Sequence, residues 1–131
     1  MNSHLPIPEE VDVVARGIVD AAYKVHLEVG SGLLESAYEH CMAHELRKRG
    51  FTVRTQVIMP ITYDGVQIDA GYRIDMIVNE CVIVEIKAVQ EMHPVTKAQI
   101  LTYLKLSKLR VGLLINFHVT LIKDGIKRFA H

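Results

Sequence analysis

Two segments in the first third of the chain carry apolar residues at every third or fourth position. The first follows Pro8, opens with two acidic residues and keeps this spacing as far as Val29. Such spacing places the apolar side chains on one face, and early acidic residues complement the helix dipole, so we predict an amphipathic helix. Helical spacing resumes from about residue 33 to residue 49 and stops at Gly50. The sequence Gly30-Ser31-Gly32 between them predicts an elbow joining two helices.

The apolar period changes from three or four residues to two in the next part of the chain. Alternate positions from 51 to 63 are apolar except Thr55, which predicts one strand with the apolar side chains on one face, ended by the turn signal Asp64-Gly65. Pro60 within this run favours a sheet edge or a bulge. Two further apolar runs, at about 72–78 and 82–88, are so close in sequence that they predict a hairpin.

The last third of the chain contains one helical pattern followed by strand patterns. The residues from Pro94 to about 108 predict a third helix, and the apolar run 111–117 predicts a buried strand. A final hairpin is predicted from 119–123 and 126–129, around Asp124-Gly125. The resulting order, α-α-β-β-β-α-β-β, predicts an α/β fold with a central mixed sheet flanked by helices.

Composition places limits on the class of protein. A chain of 131 residues that is 50% hydrophobic and 23% charged predicts a single domain over residues 1–131, of which 1–8 form a flexible N-terminus. Basic and acidic residues number 15 each, so any affinity for nucleic acid must come from a local patch. No leader pattern and no run of about 18 apolar residues is present, which predicts a cytoplasmic protein without membrane contact.

Candidate chemistry is concentrated in the central hairpin. Asp75 interrupts one apolar strand, and Glu85 and Lys87 interrupt the next. With a three-residue loop, Asn79-Glu80-Cys81, Asp75 stands opposite Glu85 and Lys87 lies on the same face. Two carboxylates beside an ammonium group suit a hard divalent cation and an activated water. The alternative is an ordinary amphipathic strand whose charged face is solvated.

Two other polar pairs lie on predicted helices. Glu35 and Tyr38 share a face in the first turns after the elbow, and Gln99 and Tyr103 lie one turn apart on the third helix. Each pair also has a simpler interpretation, because an early acid complements the helix dipole and a polar stripe faces water.

A zinc site is a weaker alternative. His40 and His44 are four residues apart on one helix and could chelate zinc. The H-E-x-x-H pattern and a nearby third ligand are both missing, so we expect these histidines to face solvent. The chain also lacks the P-loop, G-x-G-x-x-G and G-x-S-x-G motifs of common nucleotide-binding proteins and serine hydrolases.

These motifs together resemble a known family. Gly32-x-x-Glu35-x-x-Tyr38 is similar to the signature of the GxxExxY proteins, a family of the PD-(D/E)XK nuclease superfamily, and the resemblance runs from about residue 11 to residue 129. The Asp, Glu-x-Lys and Gln-x-x-x-Tyr series also resembles RecB-like nucleases. One position differs, because Thr96 stands where these proteins often carry a histidine before the glutamine. Further matching segments are Arg73-Ile74-Asp75, Val84 to Ala88, Gln99 to Leu104 and Leu113 to Phe117.

The resemblance implies a restriction-endonuclease-like core and a role for each site residue. Three carboxylates would bind Mg²⁺ or Mn²⁺, three groups would be catalytic, and three would contact substrate. The metal ligands are Glu35, Asp75 and Glu85; the catalytic groups are Lys87, Glu85 and Asp75; the substrate-binding groups are Gln99, Tyr103 and Tyr38.

The function implied is a phosphodiesterase that cleaves DNA or RNA by attack of a metal-activated water, with Lys87 as base or charge stabiliser. The alternative is a non-catalytic module that keeps the nuclease fold and binds nucleic acid or protein. A homodimer and a subunit of a larger assembly are both compatible with the sequence.

Overall fold

The computed structural model describes residues 5–131 and has an α/β architecture. The described chain contains three helices and seven strands, with a short 3₁₀ turn before the last strand. The helices are α1 (Glu9–Val29), α2 (Glu35–Lys48) and α3 (Pro94–Ser107). The strands are β1 (Val53–Ile58), β2 (Ile61–Tyr63), β3 (Val66–Ile68), β4 (Arg73–Val78), β5 (Val82–Lys87), β6 (Val111–Asn116) and β7 (Ile126–Ala130).

Five of the strands form one mixed sheet in the order β1-β4-β5-β6-β7. The β5–β6 pair is parallel and the other neighbours are antiparallel. The chain between two parallel strands must cross over the sheet, and α3 forms that crossover. The predicted central mixed sheet flanked by helices is therefore confirmed.

Both faces of this sheet are buried. The predicted core side of the central hairpin, including Met76 and Val84, packs against α1 and α2. Ile77 and Ile83 point the other way and pack with Ile100 of α3. The opposite face of the hairpin is thus not solvated, so charged side chains there must satisfy their hydrogen bonds within the protein or at a cleft.

The predicted strand over residues 51–63 is wrong in its extent. The chain breaks at Pro60, and β2 leaves the main sheet to pair with β3, a strand that the sequence pattern did not predict. Proline has no N–H to continue the ladder. Asp64 and Gly65 both adopt positive φ, of 52° and 74°, which favours a tight two-residue turn between β2 and β3.

The single apolar face predicted for this segment is also wrong. Val53 packs against the core formed with α1 and α2, whereas Val57 packs against the core formed with α3. Between them Gln56 has a φ of 51°, which reverses the alternation of side chains along β1.

The predicted C-terminal hairpin is wrong as well. Residues 119–121 form no strand, Ile122–Gly125 forms a 3₁₀ turn, and β7 pairs with β6 instead. Gly125 packs so closely on the backbone of Asn116 that a Cβ would collide with its carbonyl oxygen. With Gly125 lying against Asn116, the chain runs back along β6, and β7 pairs with β6 in antiparallel orientation.

The helices agree closely with the sequence. α1 has the predicted bounds, and α2 and α3 each begin and end within two residues of the prediction. No helix in the described part of the chain is long and apolar enough to cross a membrane. The flexible N-terminus predicted for residues 1–8 includes residues 1–4, which lie outside the described residues.

Candidate active site

The site is centred where the central hairpin opens. The ladder between β4 and β5 ends at the pair Met76 and Val84, so Asp75 and Glu85 stand opposite each other at the next step. The loop of three residues has the predicted length and register. The two carboxylates are therefore neighbours because of the parity of that loop.

Side chains replace the backbone ladder at this point. The Asp75 N–H donates to Oε1 of Glu85 at 3.1 Å, and the Ile86 N–H donates to Oδ2 of Asp75 at 2.8 Å. Each carboxylate accepts a hydrogen bond from the backbone of the opposite strand. This satisfies two amides that the diverging strands would leave unpaired, and it fixes both carboxylates in place.

The electrostatics of the pair follow from burial. Glu85 is only 7% exposed, and burial together with the charge of Asp75 raises its pKa to about 8. Burial also raises the pKa of Asp75, and the charges of Glu39 and Glu35 add to the effect. At neutral pH the pair therefore holds a proton on Glu85, because two adjacent buried negative charges repel each other.

Lys87 brings positive charge to this pair. It lies two residues after Glu85 on the same strand face, as predicted, and its charge opposes the upward pKa shift of both carboxyl groups. It takes part in none of the salt bridges found among residues 5–131. Its ammonium group is thus close to the carboxylates without being committed to either.

Glu35 lies beside the end of β5. It is the first residue of α2, and its Oε2 accepts a hydrogen bond from the Ala88 N–H at 3.2 Å, immediately after β5. Its negative charge raises the pKa of Asp75, but its own carboxylate is held by the backbone N–H of Ala88. Among the described residues, no group of three His, Cys, Asp or Glu side chains stands in an arrangement that could hold a metal ion.

The structure gives Tyr38 a different place from the predicted one. Its hydroxyl donates to the Gly30 carbonyl at 2.6 Å and accepts from the Leu33 N–H at 3.1 Å. Its ring is fully buried and stacks on Phe117, with centroids 4.3 Å apart. Substrate binding by Tyr38 does not fit this placement. The residue closes the elbow instead, and so fixes the start of α2 at Glu35.

Gln99 and Tyr103 share one face of α3, as predicted, and line one cavity of about 210 Å³. Burial and the charge of Glu85 raise the pKa of Tyr103 to about 12. The phenol therefore stays protonated at any physiological pH and is available as a hydrogen-bond donor. Tyr103 also packs with Ile74 and Ile83, which places it on the face of the central hairpin that α3 covers.

Sequence reasoning missed a second acid and its partner. Glu39 lies one turn after Glu35 on α2, and Gln56 of β1 donates to its two oxygens at 2.9 and 3.1 Å. The charge of Glu39 raises the pKa of Asp75. The four-residue spacing from Glu35 could have indicated that both acids share a helix face. The alternation of apolar and polar residues in β1 did not indicate that Gln56 would hydrogen-bond Glu39.

Asn116 was also missed as a functional support. It pairs with Lys87 across the parallel strands and is almost fully buried. Its carboxamide accepts from the Val89 N–H at 3.1 Å and donates to the Val89 carbonyl at 2.9 Å. This fixes the chain just after β5, where Glu35 meets Ala88. A polar residue at the end of an apolar strand was the available signal.

The histidine pair plays no part in this arrangement. His40 and His44 are both exposed, as expected, and line a shallow depression on the surface of α1 and α2 with Glu28.

Comparisons with known proteins agree with the geometry. A family model described as the PD-(D/E)XK nuclease superfamily matches residues 12–129. Comparison with curated proteins and with solved structures gives no match. The matched range contains every residue of the site described above, from Glu35 to Asn116. The chain therefore belongs to the PD-(D/E)XK nuclease superfamily, and this membership indicates a nuclease-type function.

Proposed function

We propose that the protein is a Mg²⁺- or Mn²⁺-dependent phosphodiesterase that cleaves DNA or RNA. The observation that carries the proposal is the buried, opposed pair Asp75 and Glu85 with the uncommitted ammonium group of Lys87 beside it. A merely structural position would favour an apolar side chain at Glu85, because an unneutralised buried carboxylate opposes folding.

The donor set fits a hard divalent cation. Asp75 and Glu85 supply carboxylate oxygens, the ligand type that Mg²⁺ and Mn²⁺ prefer, and Glu35 lies at the adjacent end of β5. Asp75 and Glu85 would hold the ion, and Glu35 would join them only by giving up its hydrogen bond from the Ala88 N–H. When bound, such an ion polarises a phosphoryl oxygen and acidifies a coordinated water. Because ligands must be deprotonated, loss of the proton from Glu85 is coupled to cation binding.

The other residues of the chain position and stabilise the reacting phosphate. The Lys87 ammonium group has three donors that can meet phosphoryl oxygens as negative charge develops on them. Tyr103 and Gln99 bring a phenol and an amide to the cavity beside α3 and would orient substrate through neutral hydrogen bonds. Tyr38 and Asn116 do not contact substrate and act by holding α2 and the end of β5 in place.

A non-catalytic binding module is the second candidate, and two observations favour it. The chain has no net charge, and Glu35 is held by the Ala88 N–H rather than placed with the other two carboxylates. Such a module would bind nucleic acid or protein without cleaving it. The assignment to GxxExxY proteins within the superfamily also stays a prediction.

One assay separates the two candidates. The purified protein is incubated with labelled single- and double-stranded DNA and RNA in Mg²⁺, Mn²⁺ or EDTA. Lys87→Ala is run beside Lys123→Ala, a matched change of an exposed lysine in the 3₁₀ turn. Cleavage that requires metal, disappears in Lys87→Ala and persists in Lys123→Ala supports the enzyme. Binding without product under every condition supports the module.

A further inference from the structure

A cavity lies between α3 and the β2–β3 hairpin, apart from the carboxylate pair. Its walls are mainly apolar, and the hairpin side contributes Met59, Ile61 and Tyr72. Three of its lining residues carry polar groups, the amide of Gln99 and the hydroxyls of Tyr72 and Tyr103. None of these three groups has a hydrogen-bond partner within residues 5–131, so all three are available to a ligand.

The size and shape of the cavity restrict that ligand to a small planar group. Its volume of about 210 Å³ lies below the range of roughly 300 to 1,000 Å³ that encloses whole drug-sized ligands. The rings of Tyr72 and Tyr103 meet edge to face, with centroids 6.4 Å apart and planes at 70°. Two rings in this arrangement form a corner, in which a flat group can stack on one ring and present its edge to the other.

The cavity lies near the candidate catalytic groups. Tyr103 belongs to its wall and packs in one apolar cluster with Ile74 and Ile83, which lie next to Asp75 on β4 and two residues before Glu85 on β5. A group seated in the cavity therefore lies on the α3 side of the sheet, near the step at which the two carboxylates stand opposite each other.

We propose that this cavity binds one unpaired nucleobase of the substrate, so that the protein acts on single-stranded DNA or RNA, or on an unpaired nucleotide beside the scissile bond. The proposal rests on the proposed nuclease function and names its substrate class. A nucleobase matches the cavity in all its features, because it is flat, has a π face for stacking and carries donors and acceptors on its edge.

Base pairing and charge both favour the single strand. A base in a duplex has its faces stacked and its Watson–Crick edge paired, so it can enter such a cavity only after leaving the helix. Affinity for duplex DNA comes largely from basic groups that neutralise phosphates, and this chain has as many acidic as basic residues. Stacking on aromatic side chains needs no net positive charge.

Binding is measured without catalysis, by fluorescence anisotropy of the full chain in EDTA. The probes are a labelled 12-nucleotide single strand as DNA and as RNA, the matching duplexes, and single strands with one abasic position moved along the sequence. Tyr72→Ala is the test variant and Tyr72→Phe keeps the ring. Tyr63→Ala is the matched control, because Tyr63 lies on the same hairpin, is 73% exposed and does not line the cavity.

We expect both single strands to bind more tightly than the duplexes. Loss of one stacked base should weaken binding by Tyr72→Ala by about 5-fold to 150-fold, Tyr72→Phe should be weakened much less because it keeps the ring and loses only the hydroxyl, and Tyr63→Ala should stay near the wild-type value. An abasic position should weaken binding to the wild type by a similar factor and have no further effect in Tyr72→Ala. Equal affinity of Tyr72→Ala and wild type, or duplex affinity equal to single-strand affinity, overturns the proposal.

Circular dichroism and thermal melting of Tyr72→Ala show whether that variant is folded. If it is not, the abasic scan on the wild-type protein decides alone, and a scan without any weakened position overturns the proposal. Failure of the nuclease proposal is seen separately, as absence of metal-dependent cleavage of every probe by a protein that still binds single strands. Cleavage that is indifferent to Tyr72 and to abasic positions leaves the nuclease in place and removes the base pocket.

Discussion

Replacing Glu85 with glutamine should remove a pH dependence of stability that the wild-type protein carries. In the unfolded chain this group titrates near 4.5, whereas in the folded protein burial and the charge of Asp75 raise its pKa to about 8. The folded state therefore binds the proton more tightly. The resulting stabilisation is fully present below pH 4.5 and is lost as pH rises through 8.

The magnitude follows from the two pKa values. At about 1.4 kcal/mol per pH unit, the loss between them is at most about 5 kcal/mol, and sharing of the proton with Asp75 reduces the part that belongs to Glu85. A few kcal/mol is a large share of the total stability of a small domain. Raising the pH through this range should therefore lower the melting temperature of the wild-type protein by about 10 °C in metal-free buffer.

Glutamine is a close structural mimic of the protonated acid. Its Oε1 can still accept from the Asp75 N–H, as Oε1 of Glu85 does at 3.1 Å. Its amide can also donate to the Asp75 carboxylate, and it does not titrate. Glu85→Gln should therefore resemble the wild type at pH 5 and exceed it in stability at pH 9.

The assay is urea unfolding of both proteins at pH 5, 7 and 9 in EDTA. Glu91→Gln serves as the control for a change from carboxylate to amide, because Glu91 is exposed and lies outside the site. The difference between wild type and Glu85→Gln cancels the titrating groups that do not interact with Glu85, and it reports the Asp75–Glu85 pair as a unit. Parallel profiles of the two proteins from pH 5 to pH 9 would refute the reasoning, because they would mean that the Glu85 proton is not bound more tightly in the folded state.

Three further predictions test the site and its supports. Mn²⁺ should raise the melting temperature of the wild type at pH 8, EDTA should reverse the rise, and Glu85→Gln should lose most of it; an equal rise in both proteins excludes Glu85 as a ligand. Tyr38→Phe keeps the ring stack but leaves two backbone groups of the elbow without a partner, so urea unfolding should show a loss of about 1 to 3 kcal/mol; an unchanged midpoint would contradict this role. Gly125→Ala should destabilise the protein by more than about 1 kcal/mol because its Cβ collides with the Asn116 carbonyl, whereas Gly32→Ala, with open space around it, should change little in calorimetric melting.

The sequence by itself determined the elements that depend only on residues close together along the chain. The helical period fixes α1, α2 and α3 to within two residues, because side chains three or four apart share a face whatever surrounds the helix. The odd loop length likewise fixes Asp75 opposite Glu85. Parity along two joined strands is a local property, and it needs no knowledge of the rest of the fold.

Only the tertiary structure decided which faces are covered and which distant strands pair. Alternation in β5 is the same whether the face of Glu85 meets water or is covered, and burial in the folded protein is what raises the pKa of Glu85. The same holds for β7, which pairs with β6 rather than with its neighbour in sequence. The sequence left the Tyr38 hydroxyl free to contact substrate, whereas in the fold it is hydrogen-bonded to the backbone of the elbow. Burial and partner choice depend on residues far apart in the chain, and a local period contains no information about them.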